Sequence, residues 1–87
     1  MIELDSRCEL NPAVSLRPER FGALVYSFDT RRPSFLKHRD LVRVVEALGT
    51  HESVRETLEA ESIDTERWPS FLNALTTLVE SEMINEL

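Results

Sequence analysis

Apolar and polar residues alternate along the first half of the chain, and a period of two predicts β-strands. Val14-Ser15-Leu16-Arg17 shows this alternation, and Pro12 and Pro18 are expected to mark strand limits or an edge. A second strand is predicted from Ala23 to Phe28, since it is rich in branched and aromatic residues. On it Leu24, Tyr26 and Phe28 would share one face, and Ala23, Val25 and Ser27 the other.

A hairpin loop at Asp29-Thr30-Arg31-Arg32 and a short third strand at Pro33-Ser34-Phe35-Leu36-Lys37 complete the predicted sheet. Pro33 suits an edge strand, where a missing N–H interrupts no ladder. An open edge can accept an added peptide strand, which takes affinity from main-chain hydrogen bonds. Lys37 and the nearby arginines can equally protect such an edge, so the residues alone leave both interpretations open.

The second half has the spacing of amphipathic helices. Leu41, Val44, Val45 and Leu48 follow the offsets 0, 3, 4 and 7 of a first helix. Asp40 is its predicted N-cap, and Gly49 is expected just past its end with a positive φ.

Two further helices follow. Ser53 and Glu56 fit a capping box that opens a short second helix ending near Glu61. The third helix begins between Glu66 and Pro69, and its apolar stripe is Trp68, Phe71, Leu72, Leu75, Leu78 and Val79. Leu75 and Leu78 are expected in the core. For Trp68, packing and direct contact with a partner both remain open.

The order of three strands and three helices predicts one α+β domain over residues 1–87, with a winged-helix-like arrangement of a three-stranded antiparallel sheet followed by a three-helix bundle. With 87 residues, the core is expected to be thin. Residues 1–11 carry no pattern and are expected to form a loose segment.

Charge is distributed unevenly along the chain. The net charge is −6, which argues against a polyanionic partner such as nucleic acid. Between Arg17 and Arg43 there are seven basic and three acidic residues, whereas from Val44 onward there are two basic and ten acidic residues. Two faces of opposite sign would suit two different partners.

No residue pattern indicates catalysis. Cys8 is the single cysteine, and a free, unreactive thiol is expected. His38 and His51 lack metal-ligand spacing, so they are expected to be surface residues and no metal or cofactor is predicted. The chain has neither a membrane-length apolar run nor a secretory signal, and a cytoplasmic location is expected.

The chain contains two spaced motifs, RPERFGALVY, within residues 14–26, and TRRPSFLK, at residues 30–37, followed by LVRVVEAL at residues 41–48. These motifs are strongly similar to those of the mycofactocin-system peptide chaperones. The likeness continues more weakly through the last helix to Ile84. That family resembles the chaperone of pyrroloquinoline quinone biosynthesis (the PqqD-like recognition elements), which bind leaders of ribosomally made, modified peptides.

The resemblance implies a non-catalytic chaperone and two partners. One is the leader of a precursor peptide, which would add as a strand beside the third strand and against the third helix. The other is a radical S-adenosylmethionine enzyme, which would carry the iron–sulfur clusters and S-adenosylmethionine. The implied peptide contacts are Ser34, Phe35, Leu36 and Lys37 on the strand, and Trp68, Phe71, Leu72 and Leu75 on the helix. Arg17, Arg31, Arg32 and Arg43 would meet acidic groups of either partner. Pro33 departs from the family, where leucine is expected more often.

Two alternatives belong to other classes. A winged-helix DNA-binding regulator needs cations on its last helix, but that helix offers Arg67 alone among several glutamates. A structural subunit would stabilise the enzyme without touching the peptide.

Overall fold

The computed structural model describes residues 2–87 and has the predicted order of strands before helices, with one additional strand at each end of the chain. The strands are β1 (Cys8–Leu10), β2 (Val14–Glu19), β3 (Gly22–Ser27), β4 (Pro33–Leu36) and β5 (Ile84–Glu86). The helices are α1 (Arg39–Ala47), α2 (Val54–Ala60) and α3 (Trp68–Glu80), with 3₁₀ turns at Leu48–Thr50 and Thr65–Arg67.

The three predicted strands form an antiparallel sheet in the order β2-β3-β4, which confirms the α+β fold class. Val25 in the central strand faces Leu16 on one side and Ser34 on the other. The alternation in β3 is also confirmed, because Ala23, Val25 and Ser27 are buried against the helices. Pro18 lies within β2 rather than at its limit, and β2 is an edge strand, where proline is tolerated.

The N-terminal segment is docked, in contrast to the loose segment that the sequence indicated. β1 pairs antiparallel with β5, placing Cys8 opposite Glu86, and Ile2 retains only 3% of its surface exposed. Main-chain carbonyls of Leu4 and Ser6 accept hydrogen bonds from the first backbone N–H groups of α2, at 2.9 Å each. These N–H groups have no partner within the helix, so the segment stabilises the start of α2. Met1 lies outside the described residues.

Two of the predicted helix ends differ from the structure. Asp40 is not the N-cap of α1, because His38 takes that extended position and Asp40 lies in the first turn. Gly49 does not end the helix with a positive φ; the chain continues as a 3₁₀ turn, in which Thr50 Oγ1 donates to the carbonyl of Ala47 at 2.7 Å. A carbonyl near the helix end is thereby satisfied without a left-handed residue.

One of the two hydrogen bonds of the predicted capping box of α2 is confirmed. Ser53 Oγ accepts from the backbone N–H of Glu56 at 3.1 Å. The Glu56 carboxylate reaches back to the N–H of Glu52, one residue before the expected Ser53. Both bonds satisfy donors at the helix start.

The apolar stripes of α1 and α3 meet the inner face of the sheet in one core. Phe71, Leu75 and Leu78 are buried in α3, and Val44, Val45 and Leu48 come from α1 and the turn after it. Trp68, Leu72 and Val79 pack against this core while partly exposed. No helix within residues 2–87 has the length and apolar character needed to cross a membrane.

Candidate peptide-binding groove

β4 is the last strand of its sheet, so one side of it has no strand partner. The N–H of Ser27 donates to the carbonyl of Arg32, which makes this facing pair a hydrogen-bonded one. Such pairs alternate in an antiparallel ladder, so Ser34 and Leu36 direct their backbone groups to β3. Pro33 and Phe35 direct theirs to the open side.

The open side of β4 therefore offers the N–H and C=O of Phe35 and the C=O of Pro33 to another chain. The donor that Pro33 lacks belongs to this open side, not to the ladder with β3. Proline at position 33 therefore leaves the pairing of β4 with β3 intact, and it removes one hydrogen-bond donor from the edge where another strand would add.

Two depressions lie along α3, and we name the surface that they form with the open edge of β4 the β4–α3 groove. The first, of about 270 Å³, lies between α1 and the start of α3. The second, of about 340 Å³, lies between the start of β4 and the end of α3. The first is lined by His38, Leu41, Arg67, Ser70, Phe71 and Ala74. The second is lined by Thr30, Arg32, Pro33, Ser34 and residues 80–83.

An ion pair between α1 and the residue before α3 borders the first depression. Arg67 Nη1 lies 2.7 Å from Asp40 Oδ2, and the Arg67 guanidinium also lies over the Phe71 ring, 5.2 Å from its centroid. The hydrogen bond from Arg67 holds the pKa of Asp40 below its ordinary value, helped by the Asp40 backbone N–H and by the charge of Arg43. Arg67 is thus held beside the groove with its charge already partly balanced.

Of the four helix residues implied as peptide contacts, Phe71 alone lines a depression of the groove. Leu75 is fully buried, and Leu72 packs against the core. Trp68 is partly buried, and its indole N–H donates to the carbonyl of Ile63 at 2.9 Å, which ties α3 to the loop before it. Packing is therefore the role that the structure shows for these three residues.

The groove face of α3 instead includes Arg67, Ser70 and Ala74, which the sequence reasoning missed. Together with Phe71 they have the offsets 0, 3, 4 and 7 of a helical stripe. Because Arg67, Ser70 and Ala74 are small or polar, the hydrophobic pattern of the sequence does not identify them, and only their helical spacing indicates that they share a face.

The implied strand residues divide between the two faces of the sheet. Leu36 is buried and Ser34 half-buried on the inner face, whereas the Phe35 side chain is 47% exposed on the outer face, opposite Leu24. Lys37 follows the strand and is exposed. Phe35 thus offers its backbone to the groove and its ring to the outer surface of the sheet.

The four implied arginines do not form one cluster. Arg17 lies on the outer face of β2, and Arg31 adopts a φ of 58° in the β3–β4 turn. Arg32 lines the second depression of the groove. Arg43 Nε pairs with Glu61 Oε1 at 3.3 Å, on the side where α1 meets the end of α2.

Within residues 2–87, no three His, Cys, Asp or Glu side chains are close enough to hold a metal ion. Cys8 is buried beside β5, and burial, with a smaller effect from Glu86, raises its pKa to about 11. The groove itself offers backbone hydrogen bonding, apolar contact at Leu41, Phe71 and Ala74, and a cation at Arg32.

Comparison with known proteins places the chain in a family. Residues 7–85 match the Peptide chaperone MftB family. The chain is 42% identical over 80 residues to the peptide chaperone MftB of Mycolicibacterium smegmatis, covering 92% of this chain and 78% of that protein. It is 41% identical to the protein of that name from Mycobacterium ulcerans and 39% identical to the one from Mycobacterium tuberculosis, each over 92% of this chain and 73% of the relative.

No solved structure shows significant similarity to the chain. The family match spans all three strands of the larger sheet and all three helices. It therefore includes both walls of the β4–α3 groove, and the chain belongs to the MftB family of peptide chaperones.

Proposed function

We propose that this chain binds the leader of a ribosomally made precursor peptide in the β4–α3 groove and presents it to a radical S-adenosylmethionine enzyme. The observation that carries the proposal is the open edge of β4 with a groove beside it, in a member of a peptide-chaperone family. The chain itself performs no catalytic step and holds no cofactor. The iron–sulfur clusters and S-adenosylmethionine belong to the partner enzyme.

The leader adds antiparallel or parallel to β4 through the backbone of Phe35 and the carbonyl of Pro33. Side chains on its inner side enter the two depressions, where Phe71, Ala74 and Leu41 provide apolar contact. Arg32 provides a cation at the second depression for an acidic group of the leader. Main-chain bonds supply affinity, and the depressions supply selectivity.

Presentation acts by tethering. A leader held on a chaperone that also contacts the enzyme raises the concentration of the precursor core at the active site. The enzyme with chaperone is then expected to modify dilute precursor faster than the enzyme alone. Equal rates at low concentration would contradict the tethering role.

The direct test is calorimetric titration with a synthetic precursor, repeated with its leader removed. Saturable binding that requires the leader supports the proposal, and no binding to either peptide contradicts it. Binding of the enzyme without binding of the leader would instead indicate the structural-subunit alternative.

Two variants locate the site. Ser70→Trp places a large side chain in the first depression and is expected to weaken leader binding at least tenfold. Asn73→Trp is its matched control, because Asn73 is an exposed residue of the same helix that lines neither depression. If the two variants bound the leader with equal affinity, the leader would have to bind outside this groove.

No observation favours the DNA-binding alternative. Arg67 is the one basic residue at α3, and its guanidinium is already paired with Asp40 and Phe71. Glu80 and Glu82 at the other end would repel phosphates.

A further inference from the structure

The outer face of the β2-β3-β4 sheet is apolar and uncovered. Three of the four phenylalanines of the chain are exposed, at 72% for Phe21, 64% for Phe28 and 47% for Phe35. Phe35 lies on this face in β4, and Phe28 lies directly after β3. The Tyr26 ring on β3 is edge-on to the Phe28 ring, and the two ring centroids are 5.5 Å apart. A small domain that leaves such rings in water has a surface suited to contact.

This face has a defined shape and charge. A depression of about 310 Å³ is lined by Ser15, Arg17, Leu24, Tyr26 and Phe28. Arg17 faces Leu24 across the β2–β3 pair, so a cation lies directly against the apolar floor. We name the surface formed by these five residues and Phe35 the outer sheet face.

Cations also border the outer sheet face at both ends. Arg31 and Arg32 belong to the turn after Phe28, and Arg20 and Lys37 line a depression beside Phe21 at the other end. None of the six residues that form the outer sheet face is acidic, and ten of the sixteen acidic residues lie in the part of the chain after Val44. The matching partner surface is therefore apolar at its centre with carboxylates around it.

We infer that the outer sheet face is the docking surface for a protein of that kind, and that this protein is the modifying enzyme to which the leader is presented. The inference rests on the proposed function, since the leader occupies the groove and the enzyme needs a different surface. A second copy of the chain is the poorer occupant. A symmetric contact through this face would place Arg17 of both copies in one interface, where no residue of the face is a carboxylate that could pair with it.

The position of Phe35 connects the two surfaces. Its backbone faces the groove and its ring faces outward, so a leader strand added at β4 extends the outer sheet face by one strand. Alternate side chains of that strand then lie beside Phe35 on the same surface. An enzyme docked there contacts both the chaperone and the leader, and it distinguishes the loaded chaperone from the empty one.

The test compares how variants of the outer sheet face and matched control variants bind the leader peptide and the radical S-adenosylmethionine enzyme. Phe28→Glu and Arg17→Glu change the outer sheet face. Their controls are Leu87→Glu, an exposed apolar residue that follows β5, and Arg7→Glu, an exposed arginine before β1. Each variant is titrated separately with the leader peptide and with the purified radical S-adenosylmethionine enzyme, after its thermal unfolding has been shown to remain cooperative.

We expect Phe28→Glu and Arg17→Glu to weaken enzyme binding by about tenfold or more while leader affinity stays within about twofold. The controls should bind both partners as the parent protein does. Unchanged enzyme binding in both outer-face variants, equal loss in all four variants, or no enzyme binding by the parent protein would overturn the inference. A dimer that Phe28→Glu dissociates would also overturn it, in favour of self-association.

Failure of the proposed function has a different signature. If the parent protein does not bind the leader, the groove proposal falls, whatever the enzyme titrations show. If the leader binds normally and the outer-face variants behave like the parent protein, the inference alone falls. Arg17→Glu decides the matter should Phe28→Glu fail to fold.

Discussion

Arg67 Nη1 lies 2.7 Å from Asp40 Oδ2, which joins the start of α3 to the first turn of α1 beside the groove. Both side chains remain partly exposed, at 48% for Arg67 and 31% for Asp40. The pair therefore positions the two helices at one end of the groove more than it stabilises the fold, because exposed ion pairs contribute only about 0–1 kcal/mol.

Asp40→Asn is expected to lower the free energy of unfolding by about 0.5 kcal/mol at pH 7. The pKa of Asp40 is lowered in the folded protein, so this stabilisation is present above the ordinary carboxyl value of 3.8 and disappears as the pH falls through the lowered value. Urea unfolding of both proteins from pH 7 downward measures the difference. A difference that persists unchanged at the lowest pH would show that the ion pair is not its source.

Gly22→Ala is expected to destabilise the protein severely, by about 3 kcal/mol or more. A Cβ at Gly22 would lie 1.7 Å from the carbonyl oxygen of Leu36, so β3 and β4 would have to separate where they now pair. Denaturant unfolding measures the loss.

Gly49→Ala is the matched control for that variant. Its Cβ would meet only the Cβ of Glu9, at 3.6 Å, which is an ordinary contact. Because the new residue also restricts the unfolded chain, the change should be neutral or stabilising by up to about 1 kcal/mol. Similar losses in the two variants would contradict the close approach at Gly22.

Pro33→Leu is expected to strengthen leader binding by about two- to tenfold, the effect of one added hydrogen bond of about 0.5–1.5 kcal/mol. The substitution restores an N–H on the open side of β4, where an added strand can accept from it. Calorimetry with the leader peptide measures the gain. Pro33→Ala separates the donor from the side chain, and an unchanged affinity in both variants would show that pairing begins beyond this position.

Ile2→Ala is expected to lower the free energy of unfolding by about 2 kcal/mol or more, since the Ile2 side chain is 3% exposed in the core. The N–H of Ile2 also donates to Thr76 Oγ1 on α3 at 3.1 Å, and this bond should survive the substitution. Glu3→Ala, at the exposed neighbouring position, is the control and should change stability by less than about 0.5 kcal/mol. Equal stabilities of these variants would show that the segment is not docked in solution.

The Cys8 thiol is expected to resist a thiol reagent such as dithionitrobenzoate at pH 8 in the folded protein and to react fully in concentrated guanidinium chloride. Burial raises its pKa to about 11, so only on the order of one thiol in a thousand is ionised at that pH. The same shift lowers folding stability as the pH rises from the ordinary thiol value of 9.0 toward 11. Rapid reaction of the native protein would contradict this burial.

Much of the fold could be predicted because it depends on local pattern. The alternation in β3 correctly placed Ala23, Val25 and Ser27 on one buried face. The stripe from Phe71 to Leu78 correctly identified the buried side of α3. Ser53 Oγ caps α2 as its spacing indicated. The roles of Asp40 and Gly49 were predicted wrongly, because a cap depends on where the chain enters and leaves the helix, and that is set by packing.

The candidate site was harder to predict, and the reason is geometric. The open edge at Phe35 follows from strand order, which the sequence indicated. The facing residues Ser70 and Ala74 are small or polar, so nothing in their composition distinguishes them from ordinary surface. Whether these residues bind the leader stays a prediction for the titrations above.

The sequence by itself determined the number and order of the main elements, their buried faces and the family, because periodicity and motifs are properties of neighbouring residues. Only the tertiary structure decided that Cys8–Leu10 pairs with Ile84–Glu86 and that the N-terminal segment supports α2. It also decided which side of α3 lines the groove and that Phe28 and Phe35 lie uncovered. These features depend on contacts between residues far apart in the chain, and such contacts form only when the whole core has closed.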